Sequence, residues 1–176
     1  IGYGRFGRLL SEILSPFGEI FIISRRKIKS RAVKQISYPE LKKMDLVIPA
    51  VPISVFKSEL IKINKFLRNG SLLMDVCSVK VYPCQYMKKY INSKVEIVGT
   101  HPMFGPDSAK HGLKGLKIVL CPLRNSKKTL EKIKNIFKKL KLEIIITIPE
   151  NHDREAAMSL ALVHFLGRAL AGIGVK

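Results

Sequence analysis

The side chain best suited to proton transfer in this sequence is His101, which follows a strand-forming run and precedes a loop containing Pro102 and Pro106. Histidine titrates close to neutral pH, so it can take the proton of a hydroxyl while hydride leaves the adjoining carbon. The two prolines restrict the loop and lower the entropic cost of ordering it. We expect His101 to be such a base, and a loop-stabilising hydrogen bond is the alternative role.

Three further polar residues lie near predicted strand ends. Ser78, in "DVCSVK" (75–80), could hold the hydroxyl beside His101 or relay its proton, and a helix or turn cap is the alternative. Asp107 could orient a substrate or the loop, or could simply begin the next turn. For Lys80 we favour a structural salt bridge over a catalytic role.

A glycine motif opens the sequence. "GYGRFG" places Gly2, Gly4 and Gly7 at the spacing of a dinucleotide-binding turn, where glycines allow a tight turn, close approach of a pyrophosphate and close helix packing. Arg5 and Phe6 lie between them and belong to the same predicted cofactor site. The motif alone is weak, and an ordinary glycine turn is the alternative.

The residues after the second predicted strand indicate which dinucleotide binds. A carboxylate there would hold the ribose 2′-hydroxyl of NAD, whereas this sequence has Ser24, Arg25 and Arg26 and no acid. Arginine binds phosphate with two parallel hydrogen bonds, and serine adds a hydroxyl donor. The pattern favours NADP over NAD as the cofactor, unless the two arginines are only surface cations.

The elements that must position these residues alternate between strand and helix. Continuous apolar runs predict strands at 19–24, 45–51, 71–76, 95–100, 116–121 and 142–148, and helical spacing covers 6–14, 55–67 and 130–140. Alternation of this kind predicts an α/β fold with a doubly wound, mostly parallel sheet. Ligands of such sheets bind beyond the strand carboxyl ends, where Ala50, Val51 and Pro52 would admit a nicotinamide ribose.

The sequence predicts two domains of unequal size. Residues 1–149 are expected to form the dinucleotide-binding domain with a truncated first strand, and 150–176 the first helix of a truncated C-terminal helical domain. Residues 150–174 are rich in Ala and Leu and would need a partner surface, either more of the chain or another subunit. Because the chain begins at Ile1, inside a motif, we expect it to be a fragment.

The composition is strongly basic, with 32 Lys and Arg against 13 Asp and Glu and a net charge of +19. Such a charge suggests nucleic acid or a membrane surface, but the lysines are spread over helix faces with few aromatics among them. The spread of the lysines and the few aromatics argue against nucleic acid as a partner. No apolar run reaches about 18 residues, so we expect no membrane partner either. Cys77, Cys84 and Cys121 lack metal-ligand spacing, which predicts a reduced, cytoplasmic protein (plastid in a plant) without a metal site.

Five segments resemble prephenate and arogenate dehydrogenases, the oxidoreductases of tyrosine biosynthesis, and in particular the plant-type arogenate dehydrogenase branch. They are "IGYGRFGRLLSEILSPFG", "DLVIPAVPIS", "DVCSVK", "GTHPMFGPDSAKHG" and "NHDREAAMSLALVHFLGRAL", in the order of the family. The combination of "SVK" with "HPMFGP" and the later "HD" and "HF" is highly specific. The resemblance implies a Rossmann-like domain followed by an all-helical domain that dimerises, so we expect a homodimer.

The resemblance also implies the reaction, oxidative decarboxylation of prephenate or arogenate. Hydride passes from the ring carbon bearing the 4-hydroxyl to nicotinamide, and CO2 leaves as the ring becomes aromatic. By the same resemblance His101 polarises that hydroxyl, Ser78 assists, and Asp107 contributes to the substrate site. His164, in "LVHFLG", matches a histidine that faces the substrate, although from the residues alone it is equally an ordinary helix histidine.

The sequence departs from the family pattern in two places and matches it in one more. The family's later helical segment supplies an arginine for the substrate carboxylate, and this chain stops before it, so we expect an incomplete substrate site. Where plant-type members carry an acid or amide that influences substrate choice, this sequence has His111, which leaves prephenate and arogenate both open. His152 and Asp153 match the "HD" pair, which we interpret as a helix start with Asp153 near the positive helix end.

Two other classes of protein stay open as alternatives. One is a different Rossmann dehydrogenase or reductase with a helical second domain, of the imine-reductase or β-hydroxyacid type, which would not need His101. The other is a non-catalytic dinucleotide-binding regulator or a nucleic-acid binder, which the net charge suggests.

Overall fold

A computed structural model describes residues 1–30 and 32–172 of the chain. The strands are β1 (Phe21–Ile22), β2 (Lys34–Gln35), β3 (Leu46–Val47), β4 (Leu72–Met74), β5 (Glu96–Pro102), β6 (Lys117–Arg124) and β7 (Glu143–Ile146). The α-helices are α1 (Arg5–Leu14), α2 (Ile53–Asn64), α3 (Val81–Tyr90), α4 (Pro106–Ala109), α5 (Lys127–Lys139) and α6 (Pro149–Gly172). Single 3₁₀ segments cover Ser15–Phe17 and Tyr38–Lys43.

The strands form a mostly parallel sheet, as the sequence predicts. β1 and β2 pair in parallel, and β3 to β7 form a second sheet in chain order, in which only the pairing of β5 with β6 is antiparallel. Ile1 and Gly2 lie between the two sheets: the amide of Gly2 donates to Ile23 and the carbonyl of Ile1 accepts from Ala50. The fold is Rossmann-like.

Neighbouring residues of each strand point to opposite sides of the sheet, and the strands are apolar at successive positions. Both faces of the sheet are therefore apolar, and helices cover both. In β5, Ile97 packs into a core cluster with Phe56 and Leu60 of α2. The next residue, Val98, packs into a second cluster with Phe137 of α5. The two clusters fix the height and tilt of β5, and therefore the position of the histidine near its end.

The six predicted strand segments each contain a strand, and the four predicted helical segments each contain a helix. The predictions missed β2, α3 and α4. The strand that carries His101 also continues past Thr100 to Pro102, so His101 is the second-last residue of the strand and pairs with Val119 of β6. Among the described helices, none has the length and apolar character needed to cross a bilayer.

Candidate functional site

Two adjoining cavities lie at the carboxyl edge of the parallel strands. The smaller, about 320 Å³, is lined by the glycine turn and the end of β3, through Gly4, Arg5, Phe6, Gly7, Ala50, Val51 and Val76. The larger, about 530 Å³, is lined by Phe6, Val76, Ser78, His101, residues 102–105 and Ser108. Because Phe6 and Val76 line both cavities, the cavity at the predicted cofactor turn lies directly beside the cavity at the predicted base.

The three glycines of the opening motif differ in what surrounds them. Gly2 has φ +93°, and a Cβ there would lie 2.4 Å from the carbonyl oxygen of Ala50. A Cβ on Gly7 would lie 2.4 Å from the carbonyl oxygen of Gly2, so only glycine allows helix α1 to pack this closely. Beside Gly4 a Cβ would meet nothing within 4 Å. The open space at Gly4 fits a group that approaches the backbone closely, as a pyrophosphate would.

The start of α1 also suits an anion. Gly4 is the N-cap of α1, no side chain caps the helix, and its first turn contains no acidic residue. Uncapped amides at a helix N-terminus attract negative charge. The chain's own residues at this turn therefore fit a dinucleotide phosphate.

His101 is half-buried at the base of the larger cavity. Burial of the ring, with smaller contributions from the neighbouring His152 and the Lys80 ammonium, lowers the pKa of His101 to about 4, against an opposing effect of Asp153. The ring is therefore neutral at pH 7 and has a lone pair available. This is the protonation state that a proton acceptor requires.

His101 is held by a buried partner from the other end of the chain. Its Nδ1 lies 2.9 Å from Nε2 of His152, and the two rings meet edge to face at 75°. Nδ1 of His152 lies 2.7 Å from Oδ1 of Asp153. Asp153 in turn accepts the backbone amides of Lys80, at 2.6 Å, and Val81, at 2.9 Å.

The role of Asp153 differs from the one that the sequence indicated. Its carboxylate does not serve the start of its own helix α6 but the start of α3, where Lys80 is the N-cap and Val81 the first residue. Although partial burial opposes ionisation, the Val81 amide and His152 hold the pKa of Asp153 below its usual value. The correction follows from tertiary packing of α6 against α3, which the sequence does not reveal.

A buried ion pair fixes the two strand ends that carry Ser78 and His101. Lys80 and Asp75 are both fully buried and form a salt bridge, and Nζ of Lys80 also donates to the carbonyl of Thr100 at 2.6 Å. Asp75 accepts the amides of Thr100, at 2.9 Å, and Cys77, at 3.0 Å. The structural role predicted for Lys80 is confirmed. Removing one member would leave an uncompensated buried charge, which typically costs about 3–5 kcal/mol.

The other predicted substrate residues are only partly brought to the cavity. The hydroxyl-bearing Ser78 is exposed and lines it. Asp107 lies in the first turn of α4 and pairs with Arg5 at 2.7 Å, and neither Asp107 nor His111 is among the lining residues. His111 is exposed in the turn after α4. His164 falls on α6, and its side chain lies outside the described part of the structure.

The basic residues predicted to select the cofactor lie beyond β1. Arg25 and Arg26 are exposed, and Oγ of Ser24 accepts the amide of Arg26 at 3.2 Å. The side-chain amide of Gln35, on β2, donates to the carbonyls of Ser24 and Arg26, both at 3.1 Å, and its oxygen accepts the amide of Ile28 at 2.9 Å. Gln35 therefore shapes the loop that presents the two arginines.

Some contributors to the site were not predicted from the sequence. Val76 lines both cavities but is one ordinary apolar residue in a strand-forming run, and Gln35 gives no chemical signal. Pro52 was predicted to border the cofactor, but it is the N-cap of α2 and is absent from the lining of both cavities. His152 was noted only as part of a motif, which was the signal available. Within the described residues, no group of three or more His, Cys, Asp or Glu could hold a metal ion.

Comparison with known proteins gives a family match over most of the chain. Residues 24–146 match the family described as prephenate dehydrogenase, nucleotide-binding domain. A probable arogenate/prephenate dehydrogenase of Methanocaldococcus jannaschii is 36% identical over 140 residues, covering 76% of this chain and 31% of that protein. The chloroplastic arogenate dehydrogenase 2 of Arabidopsis thaliana is 31% identical over 191 residues, covering 100% of this chain and 53% of that protein. The chain thus spans between about a third and about half of these relatives.

Solved structures share the fold at low sequence identity. A putative prephenate dehydrogenase from Corynebacterium glutamicum has a TM-score of 0.75 at 21% identity, covering 96% of this chain and 60% of that one. Prephenate dehydrogenase from Aquifex aeolicus, in complex with hydroxyphenyl propionate and NAD+, has a TM-score of 0.68 at 22% identity, covering 92% and 66%. An imine reductase from Myxococcus stipitatus in complex with NADP+ scores 0.69 at 17% identity, covering 98% and 61%. At these identities the likeness shows the fold alone.

Proposed function

Because the chain belongs to the prephenate dehydrogenase family, we propose that it forms the dinucleotide-binding part of an enzyme that oxidatively decarboxylates prephenate or arogenate with NADP. The observation that carries this proposal is that the two cavities lie side by side. The glycine turn lines one, His101 and Ser78 line the other, and Phe6 and Val76 line both. A dinucleotide with its phosphates at Gly4 would extend toward the cavity in which His101 and Ser78 lie.

The chain's own residues would manage the hydroxyl proton of the substrate. A bound nicotinamide dinucleotide supplies the hydride acceptor. Neutral His101 accepts the proton of the 4-hydroxyl as hydride leaves the same ring carbon. When the bond to the carboxylate breaks and CO2 departs, its electron pair completes the aromatic ring, and His101 returns the proton to the phenolic oxygen. The reaction therefore balances without net uptake or release of a proton.

Ser78 and the loop after β5 would orient the ring. The exposed Ser78 hydroxyl lies on the same cavity as His101 and would hydrogen-bond the same 4-hydroxyl. Residues 102–105 supply mostly apolar surface against which a six-membered ring can pack. Asp107, His111 and His164 stay proposed substrate residues. For Asp107 this requires release from Arg5, which is feasible because both side chains are largely exposed.

The preference for NADP rests on the two exposed arginines after β1. Their loop is ordered by Gln35 and carries no carboxylate that would repel a 2′-phosphate. Arg25 and Arg26 would bind that phosphate, with Ser24 as a hydroxyl donor.

The apolar surface of α6 supports a larger assembly. Met158 is 70% exposed, Phe165 69% and Val163 65%, and an apolar surface of this kind is normally covered by another segment or subunit. We therefore propose that residues 1–149 form the dinucleotide-binding domain, that 150–176 begin a helical domain, and that a homodimer forms through that domain. For its location we propose the cytoplasm, or the plastid in a plant, in line with the chloroplastic relative.

The experiment that tests this function is a four-way assay of the full-length protein. Prephenate and arogenate are each supplied with NADP and with NAD, and the reduced cofactor and the aromatic product are both measured. The proposal expects turnover of at least one substrate, with NADP preferred. Dinucleotide binding without oxidation of either substrate would contradict it and would favour the regulator alternative.

A further inference from the structure

Three side chains form a hydrogen-bonded line that runs from the larger cavity to the start of α3. His101 contacts His152 at 2.9 Å, His152 contacts Asp153 at 2.7 Å, and Asp153 accepts two backbone amides. His152 is only 4% exposed, so its ring is largely shielded from bulk water, and both of its nitrogens lie within hydrogen-bond distance of a relay neighbour. We call this line the His–His–Asp relay.

The relay has a direction because one end can only accept hydrogen bonds. An ionised carboxylate has no hydrogen to donate, and the amides of Lys80 and Val81 hold Asp153 in that state. Nδ1 of His152 must therefore carry a hydrogen and donate it to Asp153. In a neutral ring this leaves Nε2 of His152 as an acceptor, so Nδ1 of His101 must donate to it.

The consequence for His101 is a fixed tautomer. With its hydrogen on Nδ1, the ring has a bare Nε2, the nitrogen not engaged by His152. We propose that His152 and Asp153 are positioning residues that lock His101 in the Nδ1–H tautomer and leave Nε2 as the acceptor for a substrate hydroxyl. This inference rests on the proposed function for the identity of that hydroxyl, but the tautomer itself does not depend on any substrate.

The relay also accounts for how a histidine in this setting can take up a proton during turnover. Burial, His152 and the nearby Lys80 ammonium all disfavour a charged His101, and Asp153 is the group that favours it. When Nε2 of His101 takes the hydroxyl proton, the Nδ1–H of the resulting imidazolium still donates to His152. The positive charge on His101 is then stabilised by the Asp153 carboxylate, with the polarised ring of His152 between the two.

The relay links the site to the segment outside the proposed dinucleotide-binding domain. His152 and Asp153 both lie on α6, whereas His101 lies on β5 and the amides that hold Asp153 lie at the start of α3. Displacement of α6 would remove the acceptor for Nδ1 of His101 and free its tautomer. The proposed helical domain therefore contributes to the base even without contacting the substrate.

The test is the protonation pattern of the histidine rings in the full-length protein, recorded without turnover. With ¹⁵N-labelled histidine, long-range ¹H–¹⁵N correlation spectra at pH 7 distinguish Nδ1–H, Nε2–H and imidazolium rings, and His101→Asn assigns the signals. We expect neutral Nδ1–H rings at both His101 and His152. An Nε2–H ring at His101, or an imidazolium at His152, would overturn the proposal. Because the spectrum is that of the unaltered protein and only its assignment needs His101→Asn, the result stands even if a His152 variant fails to fold.

Two substitutions at His152 separate positioning from packing. His152→Phe keeps a buried ring but removes the acceptor, so we expect mixed tautomers at His101 and a kcat lower by roughly 10- to 100-fold, part of what a positioned base contributes. His152→Gln keeps an amide oxygen and should recover much of that loss. The matched control, Arg154→Gln, changes an exposed residue of the same helix α6 outside the relay and should leave the His101 spectrum unchanged.

The outcomes distinguish the relay from the reaction it would serve. An unchanged His101 tautomer and kcat in His152→Phe would show a packing role only and overturn the inference. A full-length protein that oxidises neither substrate but shows the expected tautomers would lose the proposed function and keep the relay.

Discussion

Arg5 and Asp107 join the proposed phosphate turn to the proposed substrate loop. A guanidinium nitrogen of Arg5 donates to Oδ1 of Asp107 at 2.7 Å, across 102 residues of sequence. Arg5 begins α1 directly after Gly4, and Asp107 lies in the first turn of α4, just beyond the strand that carries His101. Each residue was predicted to bind a different ligand, and in the structure they bind each other.

Asp107→Asn should therefore separate ligand binding from stability. The two side chains are 74% and 84% exposed, so the pair contributes at most about 1 kcal/mol to the free energy of unfolding. We expect urea unfolding to change by no more than that, the substrate KM to rise, and the Kd of NADP to stay constant or fall as Arg5 is freed. Asp45→Asn, which breaks a second exposed pair with Arg68, is the matched control. A weaker NADP complex with an unchanged KM would argue against a substrate role for Asp107.

The glycines of the opening turn should respond differently to the same added methyl group. Gly7→Ala places a Cβ against a backbone oxygen at 2.4 Å, which cannot be relieved by side-chain movement, so we expect a loss of about 1–3 kcal/mol in unfolding free energy. Gly4→Ala meets no protein atom within 4 Å and should fold normally. It should instead weaken dinucleotide binding roughly 10- to 100-fold, because the methyl group occupies the phosphate cradle. Wild-type affinity in Gly4→Ala would rule out that location for the phosphates.

Arg25→Ala tests the choice of cofactor. Loss of a charge-assisted hydrogen bond to a 2′-phosphate costs about 1.5–3 kcal/mol, which is roughly 10- to 150-fold in the Kd of NADP, whereas the Kd of NAD should hardly change. Lys29→Ala removes an exposed cation from the same segment and serves as the control. Both constants can be measured by fluorescence titration. Equal losses for NADP and NAD would remove the 2′-phosphate role.

The lowered pKa of His101 predicts a dependence of stability on pH. Its value of about 4 in the folded protein lies below the 6.5 of a free histidine, mainly because the ring is buried. The unfolded chain therefore binds more protons between these values, and stability falls as pH is lowered from about 6.5 to 4, by on the order of 2–3 kcal/mol. Urea titrations at several pH values should show this loss in the wild type and in His111→Asn, but a much smaller one in His101→Asn. Identical pH profiles in all three proteins would mean that His101 titrates normally.

The sequence predicted the sheet because its strands are continuous apolar runs, which is what burial on both faces produces. It could not reveal β2, since that strand is only two residues long and both of its residues, Lys34 and Gln35, are polar and exposed. It could not reveal that β6 runs antiparallel to β5 either, because strands buried on both faces read alike in either direction. Helix α3 was missed because its buried positions are Pro83, Cys84 and Met87 rather than a stripe of branched apolar residues.

The site was predicted as a set of separate strand ends, and their contacts depended on tertiary structure. His101 and Ser78 could be named because the sequence places both near the carboxyl ends of predicted strands, where parallel sheets bind their ligands. The contact of His101 with His152 spans 51 residues and two elements, and neither residue indicates the other by spacing. In the same way, Asp153 was expected at its own helix start, and only the packing of α6 beside α3 brings it to the amides of Lys80 and Val81.

In the proposed reaction, neutral His101 accepts the hydroxyl proton during hydride transfer to a dinucleotide bound at the glycine turn. This role of His101 can be checked by one measurement. It is tested most directly by the turnover of His101→Asn in the full-length protein, followed through the reduced cofactor with prephenate and with arogenate, beside the wild type. We predict that kcat falls by about 10²- to 10⁴-fold in His101→Asn while the Kd of NADP stays that of the wild type. A variant that keeps the wild-type kcat with either substrate would show that His101 is not the base.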